Sequence, residues 1–142
     1  MWKPRGVSSV FLAVGVLVLC GSTNRVETQS ARDALKRRLA MYEQSWKDRD
    51  LKSVWELMSP RLQQGNENDE RKFEDFVRQS GIWISRIKIR SITVTRDRAT
   101  VRESVTYASS GKTVGEALEE SQWVLVKGNW LFDEGRTLRT SR

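Results

Sequence analysis

Apolar residues recur at helical spacing in three segments of the first half of the chain. The first segment predicts one long amphipathic helix, because four of its apolar residues lie three or four positions apart: Leu35, Leu39, Tyr42 and Trp46. Ser30, with Asp33 three residues later, is typical of the residues that cap a helix N-terminus. We therefore expect this helix to begin at Ser30.

Two shorter helices are predicted to follow. Asp50 is suited to cap the first of them, and Ser59-Pro60 is expected to end it. Its apolar residues are Leu51, Val54, Trp55 and Met58. After a polar loop over residues 63–69, a third helix is predicted to end at Gly81. This helix carries Phe73, Phe76 and Val77 on one face.

Beyond Gly81 the apolar pattern changes to two-residue alternation, which predicts strands. The alternation changes parity between Ile89 and Ile92, so we expect a β-bulge near Arg90 or Ser91. The next strand has one apolar face, formed by Ala99, Val101, Val105 and Tyr107. The segment 108–115 is predicted to be a longer connection, leading to a strand over 118–126.

A tight turn over residues 127–129 then leads into a last strand, which we expect to be internal to the sheet with Trp130 buried. The predicted fold class is therefore α+β, with three N-terminal helices packed on a curved, mostly antiparallel four-stranded sheet.

The N-terminal residues have the pattern of a bacterial secretory signal. Lys3 and Arg5 precede an apolar run over residues 7–19, which is short for a membrane-spanning helix. The single cysteine, Cys20, follows at once, and "LVLCGS" resembles the lipobox of bacterial lipoproteins except at Leu19. That resemblance implies lipidation of Cys20. An ordinary signal cut near residues 20–23 and an uncleaved anchor remain the alternatives.

These features divide the chain into a signal peptide (1–19), a lipidated or flexible tether (20–29) and one domain (30–142). The formal net charge is +7, of which +5 would remain after loss of the signal peptide. With no cysteine beyond Cys20, the domain can form no internal disulfide, so an ordinary hydrophobic core must stabilise it.

Two segments, "YEQSWKDRDLKSVWELMSPRL" and "WVLVKGNWLFDEG", resemble the nuclear transport factor 2-like superfamily. The matching features are an aromatic first helix, an acidic residue before a short second helix, and a final hairpin with a glycine turn and a tryptophan. They fall on Tyr42, Trp46, Asp50, Val54, Leu57, Trp123, Gly128 and Trp130. The resemblance implies a cone-shaped domain whose open end is a pocket in many relatives. The superfamily includes isomerases, dehydratases, ligand-binding domains and domains that bind protein partners. The fold alone does not indicate which of these functions a member has.

The chain contains no histidine, which excludes the commonest general base and histidine metal sites. Glu103 is the best catalytic candidate, because it has the same strand parity as the apolar residues around it. A desolvated carboxylate with a raised pKa could accept a proton, with Tyr107 or Tyr42 donating to an oxyanion. The alternatives are that Glu103 pairs with a neighbouring arginine, or that the convex side of the sheet is the apolar one. No metal or other cofactor is expected.

Aromatic residues offer candidates for a binding site. Tyr42, Trp46 and Trp83 are suited to line an apolar ligand pocket, although burial preferences favour a core position for most tryptophans.

Basic residues alternate along the first predicted strand. Arg86, Lys88 and Arg90 should share one face, which could meet an anionic membrane surface or an acidic partner, or could simply be solvated. No nucleic-acid-binding motif is present.

The sequence thus predicts an exported, membrane-anchored domain of the bacterial cell envelope that is not an enzyme and binds a protein partner or a small apolar ligand. The alternative is a small-molecule isomerase or hydratase that uses Glu103.

Overall fold

Four helices precede a four-stranded sheet in the part of the chain that the computed structural model describes: residues 23–141, and the side chains of residues 28–140. The helices are α1 (Thr23–Lys47), α2 (Leu51–Glu56), α3 (Pro60–Gly65) and α4 (Glu70–Ser80). The strands are β1 (Trp83–Thr95), β2 (Arg98–Ser109), β3 (Lys112–Val126) and β4 (Asn129–Ser141). The predicted α+β class is confirmed, with one short helix more than the three expected.

Helix α1 begins at Thr23, which is earlier than the predicted start at Ser30. Residues 23–29, assigned to the tether from the sequence, are therefore helical. No glycine or proline interrupts α1, and the Gln29 side chain donates a hydrogen bond to Asp33 one turn later, at 3.1 Å. The predicted signal peptide and Cys20 lie outside the described residues. Within residues 23–141, no helix is both long and apolar enough to cross a membrane.

The second predicted helix is confirmed, since Asp50 caps α2 by accepting a hydrogen bond from the Ser53 backbone N–H at 3.1 Å. Ser59-Pro60 does follow the end of α2, but Pro60 also begins α3, whose last three residues (63–65) lie in the polar loop expected over 63–69. The Ser59 hydroxyl accepts a hydrogen bond from the Leu62 N–H at 3.1 Å. Pro60 suits the first position of a helix because no N–H is needed there.

Helix α4 matches the third predicted helix, including its C-terminal cap at Gly81. Phe73 and Val77 are buried, but Phe76, which was predicted on the same face of the helix, is 71% exposed. Helix α4 packs mainly on α2, where Trp55 and Phe73 have ring centroids 5.6 Å apart. That contact covers only a narrow stripe of α4.

The sheet is an antiparallel meander in the order β1-β2-β3-β4, and the predicted bulge lies between Ile89 and Ser91. Segment 108–115 is not the long connection that was expected, because Ser110 and Gly111 make a two-residue turn and β3 already begins at Lys112. Ser110 (φ 50°) and Gly111 (φ 77°) have the left-handed backbone that matches the twist of a hairpin. Lys127 and Gly128 repeat this arrangement between β3 and β4.

Strand β4 lies at an edge of the sheet, so the prediction of an internal last strand is wrong. Trp130 is nevertheless only 2% exposed. The connection between α2 and α3 covers this part of β4, because the Ser59 N–H donates to the Phe132 carbonyl at 2.7 Å and the Phe132 N–H donates to the Leu57 carbonyl at 2.8 Å. The Ser59 hydroxyl also donates to the buried Asp133 carboxylate at 2.5 Å.

The hydrophobic core lies between α1 and one face of the sheet, which we call the inner face. On β2 and β3 this face carries the buried residues Val101, Val105, Ala117 and Trp123. Tyr42 of α1 stacks on Phe132, with 5.2 Å between ring centroids, and meets the edge of Trp123 at 5.7 Å. The opposite face, which we call the outer face, carries mainly charged and hydroxyl side chains.

Candidate functional site

Two carboxylates lie side by side on the inner face. Glu103 of β2 and Glu119 of β3 are paired directly in the antiparallel register. Glu103 is 4% exposed, and its buried Oε2 has no hydrogen-bond partner among the described residues. Burial raises the pKa of Glu103 to about 7, the nearby Ser121 hydroxyl partly offsets this, and the charge of Glu119 adds to it. Glu103 is therefore an interior carboxyl that can exchange a proton near neutral pH.

Tyr107, the predicted partner of Glu103, is linked to Glu119 instead. Its hydroxyl donates a hydrogen bond to Glu119 Oε1. Burial raises the pKa of Tyr107, and the bond to Glu119 raises it further. The phenol thus remains protonated, and its donor is already used within the protein.

Glu119 was not identified from the sequence. The signal was present, because Glu119 shares strand parity with Ala117, Ser121 and Trp123, as Glu103 does with Val101 and Val105. From the sequence, β3 was predicted to start at residue 118 instead of at Lys112, so the prediction did not show how far the alternation of inner and outer residues extends along this strand.

The predicted aromatic ligand-binding residues are packed mainly against one another and the core. Tyr42 and Trp46 are 6% and 8% exposed, and Trp46 meets the edge of Trp83 with ring centroids 6.4 Å apart. Burial raises the pKa of Tyr42, with smaller contributions from the charges of Glu103 and Glu119. Trp46 and Trp83 also line a small surface cavity of about 150 Å³, where the Arg49 guanidinium lies 4.9 Å from the Trp83 ring.

A larger cavity of about 480 Å³ opens beside the β2–β3 hairpin and the last part of β4. Its apolar wall includes Ile82 and Val114, which are 47% and 56% exposed. The other lining residues are Tyr107, Gly115, Glu116, Ala117, Thr137 and Thr140. We call this space the mouth cavity.

The structure brings Tyr107 to the mouth cavity but does not bring Glu103 there. Within the described residues, the cavity wall contains none of the other predicted site residues: Tyr42, Trp46, Glu103 and Trp83. The paired residues Val105 and Ala117 lie in the register between Tyr107 and Glu103. The carboxylate pair therefore lies deeper along the inner face than the cavity.

Several solved structures are similar to this chain, among them the following three. One is a protein of unknown function with a cystatin-like fold from Nostoc punctiforme, at 12% identity and a TM-score of 0.54, covering 75% of this chain and 88% of that one. Another is a candidate Ca/calmodulin-dependent kinase II association domain from Exiguobacterium sibiricum, at 14% identity and a TM-score of 0.52, covering 82% and 92%. The third is a SEC-C motif containing protein from Rhodopseudomonas palustris, at 20% identity and a TM-score of 0.50, covering 75% and 77%.

The chain therefore has a cystatin-like fold, which agrees with the fold that the sequence resemblance implied. No family model matches the chain, and no curated protein sequence matches it. At these identities the structural likeness establishes the fold alone.

Proposed function

We propose that this chain is a non-enzymatic binding domain of the bacterial cell envelope that holds a small apolar ligand in the mouth cavity. The observation that carries the proposal is the cavity itself, whose volume of about 480 Å³ falls in the usual range for small-molecule sites. Ile82, Val114 and Ala117 offer apolar contacts, and Thr137 and Thr140 offer hydroxyl groups that could orient a ligand.

The arrangement favours binding over catalysis. A general base must come within hydrogen-bond reach of the proton that it removes, and Glu103 is not part of the cavity wall. The Tyr107 hydroxyl, which would stabilise an oxyanion, already donates to Glu119. A bound apolar molecule needs neither group.

Filling the mouth cavity should abolish ligand binding. Gly115 pairs with Tyr107 on the inner face, and a Cβ added at Gly115 would meet no atom within 4 Å. Gly115→Phe should therefore place a ring in the cavity without straining the backbone. We expect the neutral fluorescent probe N-phenyl-1-naphthylamine to bind the unmodified chain saturably, and Gly115→Phe to weaken binding by about tenfold or more, since losing most apolar contacts costs over 1.4 kcal/mol.

Gly65→Phe is the matched control for this experiment. Gly65 ends α3, away from the mouth cavity, and an added Cβ there would also meet no atom within 4 Å. The control should bind the probe as the unmodified chain does. Equal binding by the two variants, or no saturable binding by the unmodified chain, would contradict the proposed ligand site.

The proposed envelope location rests on the sequence of residues 1–20, in which Cys20 follows the basic and apolar signal pattern. In metabolic labelling, palmitate should be incorporated into the chain of natural sequence and into Ser22→Ala, but not into Cys20→Ala. An unlabelled parent chain would reject lipidation and leave signal cleavage or an uncleaved anchor as the alternatives.

A further inference from the structure

The outer face of the sheet carries basic side chains from β1, β2 and β4. Residues that pair across neighbouring strands form rows that run across the sheet. Five basic residues lie in three adjacent rows: Arg86 in the first, Lys88 and Arg139 in the second, and Arg102 and Arg136 in the third. Arg90 reaches the same face from the bulge in β1, where its Nε donates to Ser104 Oγ at 3.0 Å. We call these six residues the outer basic surface: Arg86, Lys88, Arg90, Arg102, Arg136 and Arg139.

Two acidic residues, Glu116 and Glu120, share these three rows, so four positive charges remain uncompensated. Glu120 is 7% exposed and accepts hydrogen bonds from Arg102 Nε at 3.1 Å and Arg136 Nη2 at 2.6 Å. The side chains of Arg102 and Arg136 are nevertheless 59% and 66% exposed. The buried carboxylate thus holds two guanidinium groups in place while they remain open to solvent.

An open depression of about 530 Å³ lies within the outer basic surface. Arg90, Arg102 and Arg139 line it together with the hydroxyl residues Ser91 and Ser104. Leu118 and the single carboxylate Glu116 complete the lining, so three positive charges face one negative charge. Guanidinium groups match the geometry of phosphate oxygens, and hydroxyl groups can donate to the same atoms. The depression is therefore suited to a phosphodiester group.

We propose that the outer basic surface docks the domain on a bilayer that contains anionic phospholipids, with a lipid phosphate in the depression. The basic side chains extend across one sheet face from β1 to β4, as contact with a charged plane requires. This inference rests on the proposed envelope location, which would hold the domain beside a bilayer, but it does not depend on the mouth cavity.

The test compares full-length chains in sedimentation with vesicles of phosphatidylcholine alone and with phosphatidylglycerol added. The difference between the two vesicle types isolates the charge-dependent part of binding, because apolar insertion contributes to both. The test variant carries Arg86→Gln, Lys88→Gln and Arg139→Gln, since the side chains of these three residues make no hydrogen bond or ion pair within the described part of the chain. Each basic residue near an anionic surface contributes about 1 kcal/mol, so the charge-dependent partition coefficient should fall about a hundredfold at low salt.

The matched control carries Lys36→Gln, Arg37→Gln and Lys52→Gln, which removes the same charge from exposed residues of α1 and α2. The control should lose much less binding than the test variant. Binding of the unmodified chain should also fall as NaCl rises from about 0.05 M to about 0.5 M, because salt shortens the Debye length from ~14 Å to ~4 Å.

Three outcomes would overturn the proposal: equal losses in the two triple variants, no dependence of binding on phosphatidylglycerol, or retention by polyglutamate or DNA without retention by vesicles. N-phenyl-1-naphthylamine binding is measured on each protein variant in the absence of vesicles. Loss of dye binding by a triple variant would identify damage to the fold or to the mouth cavity. In that case the salt dependence of vesicle binding by the unmodified chain tests the docking proposal.

Discussion

Trp123→Ala should lower the free energy of unfolding by about 4 kcal/mol, since truncating a buried tryptophan loses both apolar burial and packing. Trp123 is 1% exposed, and its indole N–H donates to Ser121 Oγ at 3.1 Å. Its ring also meets the edges of Tyr42 and Phe132, each with 5.7 Å between centroids. The substitution therefore removes the ring through which β3 contacts both Tyr42 of α1 and Phe132 of β4.

The measurement is chemical denaturation followed by circular dichroism, together with the midpoint of thermal unfolding, which should fall by about 10–20 °C. Phe76→Ala is the control, because Phe76 is an aromatic residue that is 71% exposed. Its effect should stay within about 0.5 kcal/mol. Comparable destabilisation by the two substitutions would refute the placement of Trp123 at the centre of the core.

The sequence predicted the elements that local chemistry determines. Asp50 caps α2, Gly81 ends α4, and the parity change between Ile89 and Ile92 marks the bulge in β1. Each of these signals depends on a few adjacent residues and their backbone requirements, so it could be interpreted without knowing the rest of the fold.

The predictions from the sequence were wrong where contacts between distant parts of the chain determine the structure. Ser59-Pro60 can end one helix or begin another, and the pairing of Ser59 with Phe132 of β4 fixes the connection in which α3 starts. Phe76 lies beside the apolar stripe of α4, but nothing among the described residues covers it. The edge position of β4 is likewise a property of the whole sheet.

The candidate site was only partly predictable for the same reason. Alternation placed Glu103 on the inner face, where it is buried. Alternation could not show that Glu119 lies opposite Glu103. That pairing depends on the register of the β2–β3 hairpin, whose turn was predicted to be longer than it is. Alternation also could not show that Tyr107 lines a cavity from which Glu103 is excluded.

Glu103→Gln should make the domain more stable at pH 8 by about 3 kcal/mol, and should have little effect near pH 4. The pKa of Glu103 is raised from 4.5 to about 7, chiefly by burial. Between these values the folded state holds a proton that the unfolded state releases, so the free energy of unfolding falls as pH rises. The stabilisation that the protonated Glu103 carboxyl gives the folded state is fully present below pH 4.5 and is lost above pH 7.

The experiment follows the free energy of unfolding of the unmodified chain and of Glu103→Gln from pH 4 to pH 8. The glutamine keeps the size of the side chain but cannot ionise, so its curve should lack the decline between pH 4.5 and pH 7. Glu116→Gln is the matched control, because Glu116 is an exposed residue of the neighbouring strand. Its curve should run parallel to that of the unmodified chain. A constant difference between Glu103→Gln and the unmodified chain across this range would mean that Glu103 titrates alike in the folded and unfolded states, and that it is not a desolvated interior carboxyl.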